Sequence, residues 1–134
     1  MIKKIDACIN IQGNKFSPAK AQEMTGLIFS KTNEPGDIGK TGKYKNKPLP
    51  YGFAVVEPSV KIDDHKKIKW LADTIKDKVK ILKSCGAEDL YFYIGYFYEN
   101  QCNLALSNEE LKSLAETGLD YWFSCYDIGD ENEK

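Results

Sequence analysis

Residues 5–12 read Ile5-Asp6-Ala7-Cys8-Ile9-Asn10-Ile11-Gln12, with apolar and polar side chains in strict alternation. A period of two is typical of a β-strand with one buried face and one open face. Gly13 ends the pattern, and Ser17 followed by Pro18 predicts a helix start, because serine caps well and proline is tolerated at the first helical position. The chain therefore begins with a strand and then a helix, which we expect to end near Gly26.

The rest of the chain repeats this strand-helix-strand pattern. Further strands are expected at 27–30, 51–57, 90–98, 102–106 and 119–126, and further helices from Asp63 or Asp64 to Leu82 and from Ser107 to Thr117. We predict an α+β fold, a two-layer sandwich of about six mostly antiparallel strands with about three helices on one face. Its chain order is β-α-β-β-α-β, as in ferredoxin-like folds, plus a third β-α-β unit.

Length and composition fit one domain over residues 1–134, since 42% of the residues are hydrophobic and 29% are charged. Residues 31–50 contain few large apolar side chains, which predicts a long surface loop, and residues 127–134 form an acidic tail. No apolar run approaches the length of a membrane span, and the first residues do not resemble a signal peptide. We therefore expect a cytoplasmic protein that does not bind membranes.

The residue inventory excludes several kinds of site. All 19 basic residues are lysines, His65 is the single histidine, and the four cysteines form no C-x-x-C pair. The sequence Gly39-Lys40-Thr41 lacks the preceding glycine of a phosphate-binding loop, because Glu34 stands there. Acids beside His65 lie at an expected helix start, where they stabilise the helix without a metal. We expect no catalytic residues, no metal, no cofactor and no enzymatic activity.

Charge is distributed unevenly along a chain whose formal net charge is −1. Residues 107–134 contain eight acids and two lysines, a formal charge of −6, so that residues 1–106 carry +5. An uneven charge distribution of this kind influences which partners a protein attracts and how fast they associate with it. The carboxyl-terminal quarter is expected to attract a basic partner.

Strand alternation predicts which side chains lie on the sheet face opposite the helices, which we call the open face. These are Asp6, Cys8, Asn10, Gln12, Tyr91, Tyr93, Asp120, Trp122, Ser124 and Tyr126. Aromatic anchors with polar neighbours are typical of protein interfaces. We predict a partner-binding site formed by Tyr91, Tyr93, Asp120, Trp122, Tyr126, Asp127, Asp130 and Glu131.

Two other interpretations of the open face are possible from the sequence. Residues 31–50 would bury its aromatics if that loop crossed the sheet. Sheets that bind nucleic acid also expose aromatic side chains, but they combine them with basic residues, whereas the acids here include Asp6 and Asp120. We therefore expect no nucleic acid as a partner.

The arrangement resembles a known bacterial family at four places. These are the first strand ending at Gly13, the Ser17-Pro18 helix followed by Pro35-Gly36-Asp37, the long helix after Asp64, and the Ser107-Asn108-Glu109-Glu110-Leu111 helix leading to Ser124-Cys125-Tyr126-Asp127. Together they resemble the domain-of-unknown-function family numbered four-two-seven-nine. Its members often carry a tryptophan in the strand after the loop, where this chain has Gly52-Phe53. The family implies no particular activity.

In its small size, its high lysine content and its acidic tail, this chain also resembles immunity proteins, including those of contact-dependent growth inhibition systems. That similarity implies that the protein binds a cognate toxin, often a basic nuclease, and occludes its active site. The alternative is a small-ligand or regulatory binding module in which residues 31–50 close over the sheet. The sequence leaves the oligomeric state open.

Overall fold

The computed structural model of this chain describes residues 1–129. In chain order the elements are β1 (Ile2–Gly13), α1 (Pro18–Thr25), β2 (Lys31–Asn33), β3 (Gly52–Val56), α2 (Lys67–Ile75), α3 (Val79–Ser84), β4 (Asp89–Tyr98), α4 (Asn108–Thr117) and β5 (Asp120–Asp127). Single 3₁₀ turns occupy Gly42–Tyr44 and Asp64–Lys66. The α+β class predicted from the sequence is confirmed.

The strands form one sheet in the spatial order β2-β3-β1-β4-β5. All neighbouring pairs are antiparallel except β4 and β5, which are parallel. Within residues 1–129 the sheet is therefore mixed and has five strands, with four helices, where the sequence predicted about six strands and three helices. The β-α-β-β-α-β chain order is present once α2 and α3 are counted as one broken helix.

The hydrophobic core lies between the helices and one face of the sheet. Alternation in β1 and β4 points Ile9, Ile11, Phe92 and Ile94 into it, and all four are fully buried. Every helix contributes to the same cluster, through Ala21, Ile68, Leu71, Ala72, Ile75, Leu82 and Leu114. The helical layer thus covers one sheet face and leaves the open face to solvent.

The helix ends predicted from local sequence are confirmed where a side chain has a backbone partner close by. Ser17 Oγ accepts a hydrogen bond from the Lys20 amide, and Gly26 ends α1 in the left-handed conformation. Ser107 and Glu110 form both hydrogen bonds of a capping box at the start of α4.

The expected strand at 27–30 is wrong, since pairing begins later, at β2. The Leu27 amide donates to Thr25 Oγ1, part of the α1 terminus, and the first bond to β3 is donated by the Ser30 amide to the Val55 carbonyl. Part of the expected 31–50 loop is consequently strand β2, and Ile38 and Gly39 form isolated bridges with Pro48 and Lys45.

The expected strand at 102–106 is also wrong. Strand β4 already has β1 on one side and β5 on the other, so the segment after it cannot pair with β4 as a hairpin strand would. Because β5 runs parallel to β4, the chain must cross back over the sheet, and residues 99–107 together with α4 make that connection.

The single long helix expected from Asp63 or Asp64 is broken at residues 76–78. The Lys78 amide donates to the Ile75 carbonyl, a tighter bond than the helical one, and α3 starts afresh at Val79. Neither Asp63 nor Lys66 makes a side-chain cap at the helix start.

Asp64 instead satisfies an unpaired stretch of β1. Strand β3 ends opposite Ile9, with Pro58 two residues later, so the first half of β1 has no strand on that side. There the Ile5 amide donates to Asp64 Oδ2 at 3.0 Å, and Lys67 Nζ donates to the Ile5 carbonyl at 2.8 Å. Lys67 Nζ also lies 2.9 Å from Asp64 Oδ1. The side chains of Asp64 and Lys67, which we call the Asp64 clamp, thus replace the missing neighbour strand.

This clamp predicts an acid-sensitive contribution to stability. The hydrogen bonds from Lys67 and then from the Ile5 amide hold the pKa of Asp64 below its usual range. A carboxyl group whose pKa is lower in the folded state than in the unfolded state stabilises the fold at pH values above its unfolded pKa of about 3.9. This contribution to the free energy of unfolding is lost as the pH falls through the folded-state pKa. We expect Asp64→Ala to lower the free energy of unfolding by about 1–2 kcal/mol at pH 7.

Urea unfolding of Asp64→Ala and wild type between neutral and acid pH checks this, with the exposed neighbour variant Asp63→Ala as the matched control. The difference between wild type and Asp64→Ala should shrink below about pH 4. An Asp63→Ala variant as unstable as Asp64→Ala would contradict the clamp.

Candidate functional site

The open face is built on β1, β4 and β5, whose register sets side chains in rows across the sheet. Tyr91 lies between Asn10 and Asp120, and Tyr93 lies between Cys8 and Trp122. The next row is Asp6, Gly95 and Ser124, and the last is Lys4, Phe97 and Tyr126. The row with Gly95 carries only small or short side chains, so it forms a depression between rows of aromatic rings.

Aromatic rings on this face contact each other in pairs between β4 and β5. Phe97 and Tyr126 stack with ring centroids 4.9 Å apart, and Tyr91 tilts against Trp122 at 6.1 Å. Trp122 is nevertheless 61% exposed and Tyr126 is 41% exposed. These rings are held in place by neighbours while their outer surfaces remain available for contact.

A hydroxyl network joins the two strands at the centre of the face. The Tyr93 hydroxyl lies 2.9 Å from Ser124 Oγ and 2.7 Å from the Tyr126 hydroxyl. The hydrogen bonds with Ser124 and then Tyr126 lower the pKa of Tyr93, while the hydrogen bond with Tyr93 raises that of Tyr126. The network fixes the orientation of both tyrosines.

The Cys8 groove is a depression of about 450 Å³ on this face. Cys8 and Gly95 lie at its floor, Phe97 and Tyr126 line one side, and residues 57–60 line the other. Burial, followed by the nearby carboxylates of Glu57 and Asp6, raises the pKa of the Cys8 thiol to about 11. The floor of the groove is therefore an uncharged thiol at neutral pH.

The Trp122 groove is a second depression of about 520 Å³, and Tyr93 separates it from the first. Its lining combines the aromatic side chains with an amide and three carboxylates, namely Tyr91, Tyr93, Trp122, Gln12, Glu88, Asp89 and Asp120. Glu88 is oriented by the Asn14 amide, which donates to Oε1 at 2.8 Å.

The lining of the two grooves is acidic. Among residues 1–129 it includes five carboxylates, from Asp6, Glu57, Glu88, Asp89 and Asp120, and one ammonium group, from Lys67. That ammonium group is already engaged by Asp64 at 2.9 Å and by Asp6 at 3.9 Å. Lys4, in the last row of the open face, lies 3.5 Å from Asp6, and its ammonium group is 5.5 Å from the centre of the Phe97 ring. The negative potential is therefore strongest at the Trp122 groove, whose described lining has three carboxylates and no ammonium group.

The structure brings together five of the eight residues predicted for the partner site: Tyr91, Tyr93, Asp120, Trp122 and Tyr126 all lie on the open face. Asp127 lies at the end of β5 on the opposite side of the strand, since it alternates with Tyr126. Its carboxylate accepts from the Gly129 amide. Asp130 and Glu131 lie outside the described residues.

Residues 31–50 do not bury this face, because Trp122 remains exposed and neither groove is lined by that segment. Alternation puts Phe123 and Cys125 on the side of β5 that faces the helical layer. Phe123 is nevertheless 44% exposed and Cys125 is also exposed, because β5 is the edge strand.

Glu88, Asp89 and residues 57–60 belong to the site but were not predicted from the sequence. Alternation along β4 could have identified Asp89, because it places residues 89, 91 and 93 on one side of the strand. Glu88 and residues 57–60 lie beyond strand ends, and only the folded path of the chain brings them to the grooves.

No helix within residues 1–129 has both the length and the apolar character needed to cross a bilayer. In the same part of the chain, no three His, Cys, Asp or Glu side chains are grouped to hold a metal ion. Comparison with protein-family models, curated proteins and solved structures found no match to this chain.

Proposed function

We propose that this protein binds a basic protein partner through the open face, and that it acts as an immunity protein that occludes the active site of a cognate toxin. The observation that carries the proposal is the aromatic pair of half-buried Tyr91 and exposed Trp122 beside the carboxylates of Glu88, Asp89 and Asp120. Large aromatic anchors are enriched at the centre of protein interfaces, and polar and charged groups form the rim around them.

Preorganisation supports protein binding. Tyr93, Ser124 and Tyr126 are already connected by hydrogen bonds, and the Phe97 and Tyr126 rings are already stacked. A partner would meet side chains whose rotamers are largely fixed, so little conformational entropy would be lost on binding.

The sign of the charge supports a basic partner. A nucleic acid would bring phosphates against the carboxylates of the two grooves, whereas a basic protein would meet complementary charge. A toxin that cleaves nucleic acid needs a basic active site, and an acidic aromatic face is suited to covering one. The protein would act in the cytoplasm, without catalysis or cofactor.

Co-expression tests the proposal, with the protein encoded immediately upstream of this one as the candidate partner. Expressed alone, the candidate partner should stop growth; expressed with this protein, it should be tolerated and recovered as a stoichiometric complex. A harmless candidate partner, or a toxic one that this protein neither binds nor neutralises, would contradict the proposal.

Charge reversal on the open face should slow association. We expect Asp89→Lys with Asp120→Lys to reduce the association rate with the candidate partner about 10-fold or more at low salt. The matched control is Glu23→Lys with Asp77→Lys, which makes the same change in net charge at exposed positions of the helical layer. Stopped-flow association from low to high salt measures both.

The difference between the two double variants should vanish at about 1 M salt, where screening is nearly complete. Equal rates for the two variants at low salt would show that the open face does not steer the partner.

The second candidate function is a small-ligand or regulatory binding module. The volumes of the two grooves, about 450 and 520 Å³, fall within the usual range for ligand sites. Residues 57–60, rather than the expected 31–50 loop, would cover the ligand. A metabolite that raises the unfolding temperature of wild type but not of Gly95→Trp, in the absence of any protein partner, would favour this function.

A further inference from the structure

Two of the four cysteines lie in contact with each other. Cys102 is in the connection that follows β4, and Cys125 is in the edge strand β5. The Cys102 thiol donates a hydrogen bond to Cys125 Sγ, with the two sulfur atoms 3.5 Å apart. Both side chains are at least partly accessible, and both are free thiols in the structure.

The other two cysteines have different surroundings. Cys85 is buried, and its thiol lies 3.6 Å from the sulfur of Met24. Cys8 lies in the Cys8 groove, where its raised pKa keeps it protonated and poorly nucleophilic. Burial and then the hydrogen bond with Cys125 also raise the pKa of Cys102, so the exposed Cys125 is the thiol that should react first. Mutual contact of the two sulfur atoms distinguishes Cys102 and Cys125 from the remaining pair.

We propose that Cys102 and Cys125 form a reversible disulfide that fastens the edge strand β5 to the segment following β4. A disulfide bond is about 2.05 Å long, so the sulfur atoms must approach by about 1.5 Å. Cys102 lies in a segment without helix or strand, which allows the movement without breaking the sheet.

The oxidant we name is a peroxide. The exposed Cys125 sulfur, as thiolate, attacks one oxygen of hydrogen peroxide, which leaves a sulfenic acid on Cys125 and releases hydroxide. The Cys102 sulfur then displaces the sulfenic oxygen as a second hydroxide, which takes up the Cys102 proton. In sum two thiols lose two electrons and two protons, and the peroxide becomes two waters. A small dithiol reverses the bond by exchange.

The bond would restrain the edge strand β5, which is paired with a neighbouring strand on one side only. It closes a loop that contains all of α4 and most of β5, the strand that also carries Trp122 and Tyr126. The same connection already holds the amino terminus, whose ammonium group donates to the carbonyls of Glu99 and Gln101. Oxidation would thus join the edge strand β5 to the segment that already holds the start of the central strand β1.

Mass spectrometry of the full chain after hydrogen peroxide tests the proposal. The expected product is a monomer lighter by about two mass units, restored by dithiothreitol. Because the chain has no arginine, trypsin gives peptides 84–112 and 113–134, which the bond would hold together. Cleavage after glutamate then separates Cys85 from Cys102, since Glu88 and Glu99 lie between them.

Variants and a stability measurement complete the test. Cys102→Ser and Cys125→Ser should each abolish the link, whereas the control Cys8→Ser should retain it. Oxidation should raise the midpoint of thermal unfolding of wild type by roughly 10 °C and leave Cys102→Ser unchanged. Free or over-oxidised thiols at both positions, a link through Cys8 or Cys85, a link between chains, or a lowered midpoint would overturn the proposal.

Discussion

Replacing Gly52 by alanine should lower the free energy of unfolding by about 3 kcal/mol or more. Gly52 is the first residue of β3, and it faces the turn between β1 and α1. A Cβ atom added there would lie 1.7 Å from the carbonyl oxygen of Phe16. Because the obstacle is backbone next to a fully buried ring, it cannot rotate away, and the chain would have to separate at this corner.

Two more glycines make the same corner possible. A Cβ atom on Gly13 would lie 2.1 Å from the Gly86 carbonyl oxygen, and one on Gly86, whose φ is +100°, would lie 2.5 Å from the Lys15 carbonyl oxygen. The turn at residues 13–16 is thus enclosed by backbone on both sides. We infer that the three glycines act together to admit Phe16 to the core.

The control is Gly95→Ala, also in a strand and buried. Its added Cβ would meet no atom closer than 3.5 Å, and alanine restricts the unfolded chain more than glycine does. We expect a change within about 1 kcal/mol of wild type. Urea unfolding with unchanged m-values measures both variants, and a Gly52→Ala protein as stable as Gly95→Ala would refute the close approach.

Local sequence predicted those features that depend on neighbours in the chain. Alternation in residues 5–12 gave both the strand and its buried side, and the serine caps of α1 and α4 were recognisable because each bonds the next turn of the same helix. The close packing of Gly13, Gly52 and Gly86 around the turn at residues 13–16 could not be predicted in this way. The sequence indicates only that Gly13 ends a strand, and the folded chain is needed to show that Gly52 and Gly86 lie beside the same turn.

Strand pairing was the least predictable feature, because it depends on which edges are free. Residues 102–106 have a strand-like composition, but β5 occupies the edge they would need. Asp64 resembles a helix cap in sequence, yet β1 lacks a neighbour beside Ile5, and the carboxylate fills that place. In both cases distant parts of the chain determine the outcome.

The open face was predictable to the extent that alternation continues along each strand. Tyr91, Tyr93, Trp122 and Tyr126 were assigned to one side by parity alone, and the structure places them there. Asp127 was assigned to the same site because of its charge, although alternation along β5 places it on the opposite face of the sheet from Tyr126. Strand alternation is thus a better guide to a shared surface than proximity in sequence.

Trp122→Ala should weaken binding of the candidate partner by about 30- to 100-fold, a loss of about 2–3 kcal/mol, while leaving stability nearly unchanged. Large aromatic residues at the centre of an interface often account for this much affinity. Because 61% of the Trp122 surface is exposed in the free protein, its removal opens no cavity in the core. The loss should appear mainly as faster dissociation.

Trp70→Ala is the matched control, since the chain has two tryptophans and the second lies in α2, in the helical layer. Trp70 is 36% exposed, so its truncation should reduce stability more than Trp122→Ala does, while leaving affinity unchanged. Calorimetric titration with the candidate partner and urea unfolding together separate the two effects. If Trp70→Ala abolished binding and Trp122→Ala did not, the helical layer would be the interface. The acidic grooves would then be irrelevant to neutralisation, because they lie on the opposite side of the sheet.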